Sequence, residues 1–284
     1  MRVHVIAEIG INHAGAVASA IDHMRVAKAA GCDSVKFQKR DLALAIPPSM
    51  RDQPRPTPWG TLRYEEYKQR IEFGGDEFAA ISAAARELEI EWSSSAFDPP
   101  SAAFLADVGV PWIKIPSACI TDIDTVRAAA DTSLPVIMST GGSTWAEIGA
   151  AVGEHERRSS ARLTLMHCCS TYPHPPEAAR LSVLTELRQR FGHPVGWSGH
   201  ESPDVIGVTL AAVGLGATVV ERHVCLSRHQ WGSDIKASLE PAELARLVTE
   251  IRAAEAAMSS GSERPVDAAE RAKVETMRRT TWTK

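Results

Sequence analysis

No window of this 284-residue sequence approaches the run of about 20 apolar residues that a membrane-spanning helix needs, so no membrane partner is expected. The opening residues, MRVHVIAEIG, enter a strand-like run without the charged and apolar regions of a secretory leader, and a cytoplasmic location is the expectation. No CxxC pair occurs. The five cysteines (Cys32, Cys119, Cys168, Cys169 and Cys225) are odd in number, and the neighbours Cys168 and Cys169 cannot easily bridge each other. All five are read as reduced thiols, with zinc ligation by some of them as the sharper alternative. Neither GxGxxG nor GxxxxGK[ST] follows any strand-like run, which argues against a nucleotide-binding open sheet. An excess of one charge is missing too: 31 Lys and Arg stand against 35 Asp and Glu, a net charge of -4. Nucleic acid and anionic membranes are therefore not expected as partners, whereas a small anionic substrate held by a local cluster of cations is compatible.

What is present is an alternation. Short β-rich apolar runs are each followed by a longer Ala- and Leu-rich helical pattern. The runs are residues 4–10, 34–38, 90–95, 112–116, 135–139, 163–169, 194–198 and 218–224, and the last helix covers 241–258. Strands alternating with helices imply a parallel sheet, because parallel strands need crossover connections. The expectation is an α/β chain forming a single (β/α)8 TIM barrel over residues 1–260, with an open doubly wound sheet as the alternative. A Pro-rich stretch, residues 41–61, interrupts the rhythm as a long polar loop. Residues 261–284 are read as a polar, basic tail, either a docking segment or partly disordered.

In such a barrel the reactive residues gather at the C-terminal ends of the strands. Polar residues do gather there: Glu8, Asn12 and His13; Lys36 and Gln38; Ser95; Lys114 and Ser117; Ser139 with Gly141 and Gly142; His167, Ser170 and Tyr172; Ser198 and His200; Glu221 and His223. Residues two apart on a strand share a face, so Lys36 pairs with Gln38, Ser198 with His200, and Glu221 with His223. Buried lysines need anions. The bland source is Glu8 and Glu221; the functional one is a bound phosphate and carboxylate. A serine at a strand end is often only a helix N-cap. Ser95, Ser117, Ser139 and Ser198 together, beside two lysines and Gly141-Gly142, read instead as a phosphate cradle. His200 and His223 end neighbouring strands and are candidate ligands for a divalent metal, with Glu8 or water completing the set.

Seven segments carry a resemblance: IAEIGINHAG (6–15), SVKFQK (34–39), WIKIPSACI (112–120), MSTGG (138–142), LMHCCSTYPHPPE (165–177), VGWSGHES (195–202) and VVERHVCL (219–226) with the following GSD and SLEP. In content and order they resemble the sialic acid synthase family of N-acetylneuraminate and related nonulosonate synthases, over about residues 4–258. The resemblance implies condensation of phosphoenolpyruvate with a sugar aldehyde to give a 3-deoxy-2-keto sugar acid. It places Lys36, Ser95, Lys114, Ser117, Ser139 and Ser198 at phosphoenolpyruvate-contacting positions. His200 and His223 fall at the metal ligands, usually filled by Mn, with Mg, Co and Zn as alternatives. Glu8, Gln38, Ser170, Tyr172 and Asp234 fall near the sugar or the reacting centre.

Two motifs depart from the family pattern: its HNG reads His13-Ala14-Gly15, and its STGM ends in Gly142. The small antifreeze-like domain that follows the barrel in typical members is also expected to be lacking. A separate protein supplying that domain, or a different acceptor sugar, is the implied remedy, and a homodimer is implied by the resemblance alone. Two other readings stand beside this one: a barrel aldolase using Lys36 or Lys114 as a Schiff-base nucleophile, and a non-catalytic sugar-phosphate-binding subunit.

Overall fold

The computed structural model describes residues 2–258 and 267–278. The strands are β1 (His4–Gly10), β2 (Ser34–Lys39), β3 (Pro54–Thr57), β4 (Gly60–Arg63), β5 (Glu91–Ala96), β6 (Ile113–Ile115), β7 (Val136–Ser139), β8 (Leu163–Cys168), β9 (Val195–Gly199) and β10 (Val219–His223). The helices are α1 (Val17–Ala29), α2 (Leu42–Ala45), α3 (Tyr64–Ile71), α4 (Gly75–Leu88), α5 (Pro99–Val108), α6 (Ile123–Asp131), α7 (Trp145–Arg158), α8 (Ser182–Phe191), α9 (Gly207–Gly214), α10 (Pro241–Met258) and α11 (Ala268–Met277). Eight strands close a parallel barrel in the order β1-β10-β9-β8-β7-β6-β5-β2. The expected (β/α)8 barrel is what forms, and the open sheet is excluded.

Strand parity divides the side chains into two sets. Val5, Ala7, Val35, Phe37, Ile113, Ile115, Val136 and Met138 point outward and join the main core under the helices. Ile6, Trp112, Ile137, Met166 and Val219 form a separate apolar cluster inside the barrel. Each fully buried aliphatic side chain is worth roughly 1.5–3 kcal/mol relative to exposure. The inner cluster forms the floor of the barrel. Two residues further along the same strands stand Glu8, Lys114, Ser139, Cys168 and Glu221, so the interior becomes polar towards the C-terminal mouth.

The βα loops end in local stop-and-start chemistry. Asp98 caps α5, accepting from the Ser101 N–H, with Pro99 and Pro100 in its first turn. Asp122 caps α6, and Thr144 with Glu147 forms a capping box on α7. On β10, outward-facing Arg222 is fully buried and pairs with Glu201 at 2.8 Å, and Thr209 donates to the same carboxylate.

Two expectations need correction. Residues 41–61 are not one irregular loop: they contain the short helix α2 and most of the antiparallel hairpin β3–β4. Prolines at 54 and 56 are tolerated because a two-stranded hairpin has two edges and an edge strand can spare alternate N–H groups. The seventh helix begins only at Gly207, not at Pro203. Within the tail, residues 268–277 form α11; residues 261–266 and 279–284 lie outside the described residues.

Candidate active site

Neighbouring strands bring three ionisable side chains into register. Glu8 is in register with Lys36 on β2 and with His223 on β10. The Lys36 ammonium lies 2.7 Å from Glu8 and 3.6 Å from Glu221, and the Lys114 ammonium lies 3.1 Å from Glu221. Lys36 also donates to Ser95 Oγ at 2.8 Å, and Ser198 Oγ donates to Glu221 at 3.3 Å. All of these residues are buried. The anions that the two lysines require are thus, in the protein alone, Glu8 and Glu221. An external anion can enter only by exchange with these internal partners.

The exchange is uneven. Burial pulls Lys36 down, but Glu221 and Glu8 outweigh it and raise its pKa. Burial wins at Lys114, whose pKa is lowered although Glu221 pulls the other way. Burial disfavours the Glu221 carboxylate, yet Lys114 and Lys36 together hold it at about 2. Lys114 shares its one carboxylate with Lys36, so it is the cation with the least compensating charge. An incoming anion gains most beside it.

Hydroxyls surround that point. Ser139 Oγ is buried with no partner, and Ser117 Oγ accepts from the Gly141 N–H at 3.1 Å. None of the four serines caps the following helix; those caps are Asp98, Asp122 and Thr144, and α9 has no side-chain cap. Gly141 is required by space: a Cβ there would stand 2.6 Å from Cys168 Sγ and Ser170 Oγ, and 2.9 Å from Ser117 Oγ. Any side chain would fill the cradle.

His200 and His223 face each other across the mouth, ring centroids 5.4 Å apart. The Nδ1 of His200 lies 2.7 Å from the Cys169 carbonyl, which can only accept, so Nδ1 carries the proton and Nε2 is left as a lone-pair donor. Burial, then the neighbouring His223, keeps the His200 ring neutral, well below the usual pKa. His223 Nδ1 is buried without a hydrogen-bond partner, and Asp234 Oδ2 lies 3.9 Å away. Two imidazoles with free ring nitrogens fit a divalent cation. Among the described residues no group of three or more His, Cys, Asp or Glu side chains is arranged to hold one, so the remaining positions would fall to substrate or solvent.

Tyr172 stacks on His200 at 3.9 Å, and burial raises its phenol pKa. Gln38 donates to Glu8 at 3.1 Å. Every site residue named from the sequence (Glu8, Lys36, Gln38, Ser95, Lys114, Ser117, Ser139, Ser170, Tyr172, Ser198, His200, His223 and Asp234) lines one cavity of about 250 Å³. Glu221, Cys168 and Phe97 line it as well and were not in that set. Strand parity gives Glu221, which shares a face with His223; it had been weighed only as an internal counter-ion. His167 does not line this cavity; its Nε2 lies 2.7 Å from the Ala179 carbonyl. All five cysteines are free thiols.

The pattern of the NeuB family matches residues 23–263. An N-acetylneuraminate-9-phosphate synthase of Drosophila melanogaster is 40% identical over 252 residues, covering 88% of this chain and 67% of the relative. An N,N'-diacetyllegionaminic acid synthase of Legionella pneumophila is 34% identical over 274 residues, 94% of this chain and 76% of the relative. Among solved structures, an N-acetylneuraminic acid (sialic acid) synthetase of Leptospira borgpetersenii in complex with citrate superposes with a TM-score of 0.84. It is 30% identical, and the match covers 97% of this chain and 91% of that one. The motifs, the barrel and these relatives agree: the chain belongs to the NeuB family.

Proposed function

We infer that the chain is a phosphoenolpyruvate-dependent synthase, a transferase of carbohydrate biosynthesis. It condenses phosphoenolpyruvate with a sugar aldehyde to a 3-deoxy-2-keto sugar acid of the nonulosonate class and releases phosphate. The observation that carries this reading is the one cavity in which two lysines, five serines and a histidine pair converge in a member of this family.

The roles are proposed as follows. Lys114, with Ser117, Ser139 and the Gly141 N–H, receives the phosphate or carboxylate of phosphoenolpyruvate; Lys36, Ser95 and Ser198 hold its other anionic end. His200 and His223 hold a divalent cation, metal dependence being general in the family, with Mn first and Mg, Co and Zn as alternatives. When bound, such an ion supplies Lewis acidity towards the aldehyde oxygen. Gln38, Ser170, Tyr172 and Asp234 orient the sugar so that its aldehyde carbon meets the methylene carbon of phosphoenolpyruvate. A C–C bond forms there, leaving positive charge at C2 that the Glu8 carboxylate stabilises. Water adds at C2, its proton is lost, and the C2–O bond to phosphate breaks. On the family resemblance we further propose a catalytic domain over residues 1–260, a homodimer and a cytoplasmic location.

The test is phosphate release from phosphoenolpyruvate with Mn across N-acetylmannosamine, its 6-phosphate, mannose, pentoses and tetroses. Sugar-dependent release that a chelator or His200→Ala abolishes is the expected result. Absence of phosphoenolpyruvate binding would sink the reading. One observation favours a second chemistry: a buried lysine with a lowered pKa, Lys114, is what a Schiff-base nucleophile needs. Borohydride trapping of a sugar or keto acid on Lys114 would establish that alternative.

A further inference from the structure

The two candidate metal ligands are chain neighbours of a buried ion pair. Glu201 follows His200, and Arg222 precedes His223. Strand parity turns the histidines into the mouth and turns Glu201 and Arg222 outward, towards Thr209 on α9. Neither Glu201 nor Arg222 lines the active cavity. Both side chains are wholly shielded from solvent. Arg222 Nη1 donates to Glu201 Oε1 at 2.8 Å, and its Nη2 donates to the Glu201 main-chain carbonyl at 3.1 Å. Thr209 Oγ1 donates to the same Oε1 at 2.6 Å.

The β9–β10 pairing runs from Gly196 opposite Val219 to Gly199 opposite Arg222, and its register ends one residue before the histidines. At that point the guanidinium ties the two chains together, gripping the residue after His200 from the residue before His223. On their other flanks the histidine backbones are held separately. The His200 carbonyl accepts from the His174 N–H at 3.1 Å, and the His223 carbonyl accepts from the Leu239 N–H at 2.8 Å. Gly199 shows how closely the pair presses on the strand. A Cβ there would stand 2.8 Å from Arg222 Cδ and 2.7 Å from Trp197 Nε1, and would overlap the Glu201 carboxylate. Stability does not account for the pair, because burying two charges is costly and apolar residues of similar volume often serve as well. What a planar guanidinium on two acceptors adds is fixed geometry. A metal site needs that, since its metal–ligand distances hold to within about 0.2 Å.

We propose that Arg222 and Glu201 are positioning residues for a divalent cation: their ion pair, anchored by Thr209, sets the spacing of the His200 and His223 imidazoles from behind the barrel wall. This rests on the metal assignment made above for the two histidines. The pair acts through the backbone, at Gly199–Glu201 on one side and Arg222–His223 on the other. The Cys169 carbonyl fixes the rotation of the His200 ring, whereas the ion pair fixes where that ring is carried.

The test uses the full chain and Mn alone, with bound Mn read from the electron paramagnetic resonance signal of the free ion. Phosphoenolpyruvate is titrated calorimetrically into the metal-free protein alongside. His200→Ala, the reference, loses Mn binding. The double variant Arg222→Met with Glu201→Leu removes both charges, so no buried charge is left unpaired and the denaturation midpoint stays near that of the wild type. Its Mn affinity falls about 10- to 100-fold, while phosphoenolpyruvate binding to the metal-free form is unchanged. Arg222→Lys keeps the charge without the fork, and its Mn affinity falls between those of the wild type and the double variant. Should the double variant fail to fold, Arg222→Lys decides by the same readout. Wild-type Mn affinity in either variant overturns the proposal. A loss of phosphoenolpyruvate affinity as large as that of Mn also overturns it, because the whole cavity would then have collapsed. Mn binding retained by His200→Ala removes the metal assignment, and this proposal with it. Mn binding that depends on His200 but not on Arg222 leaves the assignment standing and removes the positioning role alone. No phosphoenolpyruvate binding in the wild type, with Mn affinity still set by Arg222, removes the synthase reading and keeps the positioning role.

Discussion

Ala14 sits at φ 50°, in the left-handed region where a β-carbon crowds the following carbonyl. Asparagine tolerates that region better, and the family motif carries asparagine at this position. Ala14→Asn should therefore stabilise the protein by about 1 kcal/mol, seen as a higher denaturation midpoint; an unchanged or lower midpoint refutes the strain account. Glu221 makes the opposite case. It is the shared counter-ion of Lys36 and Lys114, so Glu221→Gln leaves buried positive charge uncompensated and should cost about 3–5 kcal/mol. Saturating phosphoenolpyruvate should restore part of that loss, because the ligand supplies the missing anion; a midpoint indifferent to ligand counts against the exchange described above. At this scale the sequence is highly informative about position and less so about state. Strand parity and the strand-end rule bring Glu8, Lys36, Lys114, His200 and His223 into one cavity. Whether the lysines rest on ligand or on protein depends on distances across the barrel, which no spacing along the chain expresses.

The barrel elements were legible because each repeats one signal, a β-rich run and then a capped helix. Thr144 illustrates it: its side chain accepts from the Glu147 N–H while Glu147 returns the bond, the S/T-x-x-E pattern that opens a helix. Thr144→Ala should cost about 1 kcal/mol, measurable by chemical denaturation. The hairpin β3–β4 was not legible, because its prolines weigh against any strand and its partners are remote. What fixes it is Trp231, whose ring contacts Trp59 at 6.2 Å and Tyr67 at 5.3 Å from more than half the chain length away. Trp231→Ala should accelerate hydrogen exchange in residues 54–63 while leaving β1 and β10 protected; uniform acceleration would mean the hairpin is not an independent unit.

Over the whole molecule, acid stability follows from groups held out of their usual protonation range. His13 is brought to about 3, by burial first and then by His23, and His200 lies well below its usual value. The unfolded chain takes up these protons near pH 6.5 and the folded chain does not. Stability therefore falls as pH drops below about 6.5, by about 1.4 kcal/mol per pH unit for each such histidine. Glu221, held at about 2, adds stability that is full above about pH 4.5 and is lost as pH falls towards 2. Denaturation of the metal-free protein at pH 7, 6 and 5 should show this decline, and His13→Gln should make it shallower; a flat profile over that range would contradict it.

The apolar floor of Ile6, Trp112, Ile137, Met166 and Val219 governs traffic. It closes the lower end of the barrel, so everything that reaches Lys114 arrives and departs through the opening guarded by His200, His223 and Tyr172. A one-door chamber imposes a queue. On the proposed roles, phosphoenolpyruvate goes in before the sugar, and the phosphate split off at the bottom waits until the bulky product has cleared the doorway.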